Sequence, residues 1–214
     1  MNASELLDRA RAGEPLPAHL AENPRHDAEP GEKAAFWTNV YNALVIAGVR
    51  REGLTGDLRA QRGFFHRTAI TVADLRWSLH QIEHGILRCN RPAPWTFWRP
   101  LRTADPRLPY VLPAFDARIH FALNCGARSC PPIRAYTAAG WGAELEIAAR
   151  SYFSSEVSVD TDGAVRLPYL LRLYSRDFPD PRAFAIYYAP DDAATKLLAG
   201  APIRWAAYDW TLTG

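Results

Sequence analysis

The stretch Ala34-Ala35-Phe36-Trp37-Thr38-Asn39-Val40-Tyr41-Asn42-Ala43-Leu44-Val45-Ile46-Ala47 constrains this chain more than any other. It has the length of a helix and is apolar on nearly every side, so a helix formed here must be covered all round. Gly48 or Gly53 can end it. With 214 residues the chain can supply that cover, burying roughly 70% of its unfolded surface without a disulfide or metal staple. Asn39 and Asn42 are nearly the only strongly polar side chains in the stretch. A buried amide without partners costs about 1–3 kcal/mol, so something polar must face this helix. Two answers suffice: backbone groups that the amides brace, or a pocket that they share with His120 and Asn124.

The remaining chain reads as shorter elements. Residues 4–11 suit an amphipathic helix, and residues 13–30 a Pro- and charge-bearing arm over the body, so the expected layout is a helix and arm over 1–30 and one domain over 31–214. Residues 64–72 mix aromatic and β-branched side chains, as a strand does. Ser78 and Gln81 form a capping box for a helix running to about Arg88 that buries Leu79, Ile82 and Ile86. Residues 92–113, rich in Pro and Trp, predict irregular structure packed by Trp95, Phe97 and Trp98. Residues 118–124 alternate polar and apolar, the pattern of a half-buried strand. A helix over about 143–153 follows, then a hairpin joining 157–160 to 164–167 across Thr161-Asp162-Gly163. Two short helices broken at Pro190 occupy 180–199, and a strand over 203–212 closes the chain. Strands and helices interleave without regular βαβ spacing, which predicts an α+β domain with a central, mostly antiparallel sheet packed against the buried helix.

Charge and leader signals narrow the function. Lys and Arg number 25 against 23 acidic residues, and the basic residues are scattered, with Arg50-Arg51 the one adjacent pair. No nucleic-acid face is expected. No apolar run approaches the roughly 18 residues of a membrane span, so no membrane partner is expected either. Met1-Asn2-Ala3-Ser4-Glu5-Leu6-Leu7 has neither the basic start nor the apolar core of a secretory signal. Three cysteines, Cys89, Cys125 and Cys130, cannot all pair; thiols in the cytoplasm are the expectation.

The densest chemistry lies in His120-Phe121-Ala122-Leu123-Asn124-Cys125-Gly126-Ala127-Arg128-Ser129-Cys130-Pro131-Pro132. In a regular strand His120 and Asn124 face one side and Cys125 the other, apolar side. Cys130, further along the loop, is free to fold back over the polar face. Preceding Pro131, it can also cap a helix whose dipole favours thiolate. On the capped helix, His80-Gln81-Ile82-Glu83-His84 matches the H-x-x-E-H pattern of inverted zinc peptidases, although no residue is selected as third ligand. His84, next to Glu83 and four residues before Arg88, suits the imidazole partner of a thiol.

These segments resemble the family known as domain of unknown function 547. The likeness rests on Phe36-Trp37-Thr38-Asn39-Val40-Tyr41-Asn42-Ala43-Leu44, on Ile82-Glu83-His84-Gly85-Ile86-Leu87-Arg88, on residues 119–132, and on the closing Tyr208-Asp209-Trp210-Thr211-Leu212. The resemblance implies that Glu83, His84, His120, Cys125 and Cys130 belong to the family pattern and that a histidine at position 80 does not. Domains of this type also occur fused to redox modules in plants, which implies a thiol-redox role. A looser likeness is to papain-type thiol enzymes, because Asn124 precedes Cys130 by the spacing of their oxyanion-hole glutamine. Their thiol opens a long buried helix, whereas two prolines follow here.

The leading expectation is a thiol-dependent acyl-transfer or hydrolytic enzyme acting on an amide or thioester, small or acyl/peptidyl. Cys130 is the nucleophile, His84 or His120 the base, Asn124 an oxyanion donor and Glu83 the orienter. Cys125 is a further catalytic candidate, and Asn39, Asn42 and Arg88 are candidates for substrate binding. No cofactor or metal is assigned on this reading. The rival readings are a zinc or thiol-redox site built from Cys125, Cys130 and a histidine, and a non-catalytic module with a protein partner.

Overall fold

The computed structural model describes residues 1–22, 24 and 26–213. Helix α1 (Ala3–Ala12) is closed by the Asn2–Glu5 capping box and by Gly13 in the left-handed region, and it lays Leu6, Leu7 and Ala10 on the long helix α2 (Pro30–Arg51). Between them, β1 (His19–Leu20) runs parallel to β2 (Ala69–Val72), which pairs antiparallel with β3 (Leu75–Ser78). The sequence just before β2 is a helical turn, α3 (Phe64–Arg67), not strand. Gly63 at φ +74° turns the chain there, and Phe64 is fully buried against Gly48.

Helix α2 behaves as its composition demands. Pro30 presets its first turn, Arg50 and Arg51 sit at its negative end, and Gly53 at φ +58° carries the chain away. Gly48 stays inside the helix, where a Cβ would approach Thr68 Cγ2 to 2.8 Å. Trp37 is completely buried, its ring 4.6 Å from that of Trp77.

Beyond the Ser78–Gln81 box the chain does not continue as a regular α-helix. Residues Gln81–Leu87 form π-type turns, with Arg88 N donating to Glu83 O (2.8 Å) and Asn90 N to Gly85 O (2.8 Å). Such wide turns in otherwise helical runs are frequent at functional sites. Residues 92–107 are irregular, but Trp95, Phe97 and Trp98 do not pack them: these rings are 67%, 83% and 83% exposed.

Residues 118–124 are not a strand. Asp116 accepts from Arg118 N and so starts a 3₁₀ helix, Ala117–Phe121. The alternating pattern has a different cause: this segment lies between two cores. Ile119, Ala122 and Leu123 pack into the core around α2, while Phe121 packs into a second core. That second core is formed by α4 (Trp141–Glu156), the β4 (Ser158–Val159) and β5 (Val165–Leu167) hairpin, α5 (Tyr169–Leu173), α6 (Pro181–Tyr188), α7 (Asp191–Leu198) and β6 (Ile203–Trp205). Pro190 separates α6 from α7, as expected.

The architecture is α+β. Its strands are divided between two three-stranded mixed sheets, ordered β1-β2-β3 and β4-β5-β6, instead of one central sheet. The closing strand is shorter than expected. After Trp205 the chain forms an extended clasp, bridging Thr211 to Asp57 and Leu212 to Ala127. Among the described residues, no helix is long and apolar enough to cross a membrane.

Candidate functional site

Two amides of α2 set the position of the cysteine loop. Asn42 donates to Ala122 O (3.0 Å) and accepts from Asn124 N (3.0 Å), and Asn39 makes the same paired bonds with Tyr136 (2.8 and 2.9 Å). Each amide is buried and bonded to backbone through both its nitrogen and its oxygen, so Asn39 and Asn42 brace the fold and line no pocket with His120, contrary to the sharper expectation. Asn124 is likewise occupied. Its Nδ2 donates to Pro131 O (2.8 Å) and its Oδ1 accepts from Gly126 N (2.7 Å), and it borders a different cavity from the one that holds the thiols, which removes it as an oxyanion donor.

Gly126, at φ +95°, reverses the chain directly after Cys125. The loop is then clasped by the C-terminal segment, with Arg128 N donating to Thr211 O and Ser129 N to Asp209 O. Strand geometry would have held the two thiols apart; the turn brings them into contact, Sγ to Sγ 2.6 Å. No helix begins at Pro131, so the expected helix dipole at Cys130 is absent: residues 131–137 are irregular and the next helix is α4.

The Cys130 sulfur has other donors instead. It accepts from Cys125 N (3.0 Å) and lies 3.1 Å from the Tyr208 hydroxyl, as well as against the Cys125 thiol. Burial raises its pKa, but these hydrogen bonds outweigh burial and hold it below the ordinary thiol value. Cys125 is displaced the opposite way: its hydrogen bond to Cys130 and its burial push it well up. The pair is therefore unequal: Cys130 gives up its proton more readily than an ordinary thiol, and Cys125 holds its proton more firmly. Tyr208, raised by burial and by both sulfurs, keeps its proton and donates it. Tyr208→Phe should accordingly slow alkylation of Cys130 at neutral pH about tenfold, with the rate recovering at alkaline pH. A hydrogen bond to a charged acceptor is worth about 1.5–3 kcal/mol. Rates of iodoacetamide labelling against pH measure this directly.

A buried ionic cluster occupies the seam between the two cores. The Asp177 carboxylate accepts from Arg88 Nε (2.7 Å) and His120 Nε2 (2.8 Å) on one oxygen and pairs with Arg91 Nη1 (3.0 Å) on the other. Glu83 accepts from the hydroxyls of Tyr41 (2.9 Å) and Tyr174 (2.6 Å). Arg88 Nη1 donates to His84 Nδ1 (2.8 Å). Because a guanidinium can only donate, His84 is neutral and carries its proton on Nε2. Burial, with Arg88 adding to it, pushes His84 down to about 3 despite Glu83 nearby at 3.5 Å. His120 is lowered by burial as well. With Nε2–H given to Asp177, its Nδ1 keeps a free lone pair, and the ring lies 3.9 Å from that of Tyr174.

Both groups meet at one cavity of about 540 Å³. Its walls include Leu58, Phe65, Leu123, Leu170, Leu173 and Trp210, and its polar groups include Glu83, His84, His120, both thiols and the Tyr41, Tyr174 and Tyr208 hydroxyls. The candidates Cys125, Cys130, Glu83, His84 and His120 are thus brought together, with Arg88 directly behind His84. No hydrogen bond joins either sulfur to an imidazole among the described residues, although thiols and imidazoles line the same cavity. Nor are three His, Cys, Asp or Glu side chains placed to share a metal ion among those residues. His80 and His84 do lie ring to ring (4.8 Å), but Glu83 turns to the two tyrosines. Sequence reasoning missed Asp177 and Tyr174, and held Tyr41 only as part of the motif at residues 36–44. Tyr208 was legible only as part of the closing motif, since nothing local marks a residue that meets its partners across the fold.

A family model described as "Protein of unknown function, DUF547" matches residues 26–153, more than half of the chain. The chain belongs to this family. The part matching DUF547 supplies α2, the π-type turns with Glu83, His84 and Arg88, and the loop with His120 and both cysteines. Tyr174, Asp177 and Tyr208 come from the segment after it. No curated protein and no solved structure gives a match.

Proposed function

We propose that the protein is a thiol-dependent acyl-transfer or hydrolytic enzyme acting on thioesters or similarly activated acyl groups. The observation that carries this reading is the Cys130 sulfur, which accepts from Cys125 N, contacts the Cys125 sulfur and the Tyr208 hydroxyl, and sits at the wall of the cavity that also holds His120 and His84. Those contacts favour ionisation of the nucleophile without help from an imidazole. Cys130 attacks the acyl carbon, and the developing oxyanion takes the Nε2–H of neutral His84, which is electrophilic in the way a depressed, neutral histidine can be. The carbon–sulfur bond to the leaving thiol then breaks, and the thiol departs as thiolate. His120, oriented by Asp177, accepts a proton at Nδ1 from water or an acceptor hydroxyl or amine, which takes the acyl group from Cys130.

The same geometry favours a thioester over an amide, the two substrates expected from sequence. An amide leaving group needs a proton, and both cavity imidazoles are neutral because burial lowers them. A thiolate leaving group needs none. The protein mixed with acyl thioesters of graded chain length and quenched in acid should show, by intact mass, one acyl adduct that maps to Cys130. Absence of adduct and turnover across the panel, while iodoacetamide still labels Cys130, overturns the reading.

The sulfur contact itself favours a second reading, a dithiol–disulfide couple in which Cys130 attacks a disulfide and Cys125 resolves the mixed intermediate. Rapid exchange with a disulfide substrate that requires both cysteines, without acyl adduct, selects it.

A further inference from the structure

We propose that residues 92–103 form a docking surface that seats the protein on an anionic lipid bilayer. The proposal is independent of the thiol chemistry. Trp95, Phe97 and Trp98 are 67%, 83% and 83% exposed, three large rings presented within four positions. This is not a frayed segment. Its two ends are clamped by Asn90, whose side chain donates to Leu101 O (3.0 Å) and accepts from Leu101 N (3.0 Å), with Ala93 and Leu101 buried beneath. Pro92, Pro94 and Pro100 stiffen the span between. A fold that holds three aromatic rings rigidly in water is presenting an apolar surface to a partner.

Charge identifies the partner. No Asp or Glu occurs between Arg88 and Ala104. Arg99 and Arg102 are exposed, and neither side chain makes an ion pair or hydrogen bond among the described residues. Arg176 lies over the Phe97 ring at 4.7 Å, anchored on Thr96 O, and adds a third cation to the same surface. Indole and phenyl rings flanked by unpaired arginines match the headgroup region of a bilayer carrying anionic lipid, where rings enter the interface and guanidinium groups meet phosphate. The absence of a membrane-crossing helix does not bear on surface docking. Trp95 also borders the 540 Å³ cavity, so an apolar ligand can pass from the bilayer to the cavity beside the docked loop.

The test is sedimentation with vesicles of phosphatidylcholine alone and of phosphatidylcholine mixed with phosphatidylglycerol. The wild-type protein should pellet with the mixed vesicles at low salt and much less at high salt. The double variant Phe97→Ser/Trp98→Ser should lose at least about tenfold in partition coefficient. Arg99→Glu/Arg102→Glu should abolish the preference for anionic vesicles, with far-ultraviolet circular dichroism unchanged in both. Failure of the wild type to pellet with phosphatidylglycerol vesicles overturns the proposal and leaves an acidic protein partner as the occupant. Undiminished pelleting of Phe97→Ser/Trp98→Ser overturns it as well.

Discussion

Cys130→Ser is expected to lower turnover of a reactive thioester by roughly 10⁴-fold or more, the scale on which loss of a nucleophile is felt. Serine keeps the shape of the site but has no accessible oxyanion at neutral pH, so raising the pH should not restore the rate. Cys125→Ala acts differently. The Cys125 sulfur contacts that of Cys130 and, as the thiol that holds its proton more firmly, would support the ionised nucleophile of the proposed reaction; the Cys125 backbone N–H donation survives the substitution. Its loss should cost about 10- to 100-fold near neutrality, the worth of one hydrogen bond to a charged acceptor, and the deficit should close at alkaline pH. His120→Asn should cost about 10²–10⁴-fold and remove the ionisation of the general base from the pH profile. Steady-state kinetics from pH 5.5 to about 9.5 separate these three behaviours. Equal, pH-independent losses for Cys125 and Cys130 would remove the division of roles.

Asp177→Ala is expected to destabilise the protein by about 3–5 kcal/mol, because it leaves Arg88 charged, buried and without its carboxylate. For a chain of this length, a melting temperature lower by about 6–20 °C follows. The same cluster makes stability depend on acidity in two windows. His84 is pushed down to about 3 and His80 to about 4, in both cases chiefly by burial. Below their ordinary value of 6.5 the unfolded chain binds protons that the folded chain refuses, so stability falls as pH drops from 6.5 toward 4. Each such proton is worth about 1.4 kcal/mol per pH unit. Asp177 follows. Burial would raise it, but the His120 hydrogen bond and the Arg88 charge hold it down to about 2. Its contribution is fully present above the ordinary carboxylate value of 3.8 and is lost as pH falls toward 2. Denaturant midpoints measured across this range should decline in both windows, and His84→Gln should flatten the first. A midpoint constant from pH 6.5 to 4 would exclude a neutral, buried His84.

Local pattern was informative wherever one segment's neighbours in space are its neighbours in sequence. The all-round apolar α2, the Ser78–Gln81 box, the hairpin of β4 and β5 and the break at Pro190 were all legible for that reason. Periodicity failed where a segment serves two cores at once. In residues 117–123, Ile119, Ala122 and Leu123 enter one core and Phe121 the other, and a 3₁₀ helix divides side chains between two cores as well as a strand does. The exposed Trp95, Phe97 and Trp98 failed for another reason: apolar character predicts burial only where the fold offers cover.

By itself, the amino-acid sequence determined the α+β class, the family, and five of the side chains that line the cavity: Cys125, Cys130, Glu83, His84 and His120. Tertiary structure decided their chemistry. The Gly126 turn places one sulfur against the other, the C-terminal clasp delivers Tyr208 to them, and Asp177 arrives from the far core to fix His120. Ionisation is set by burial and by donors gathered from distant parts of the chain, and that spatial sum is not written in any local run of residues.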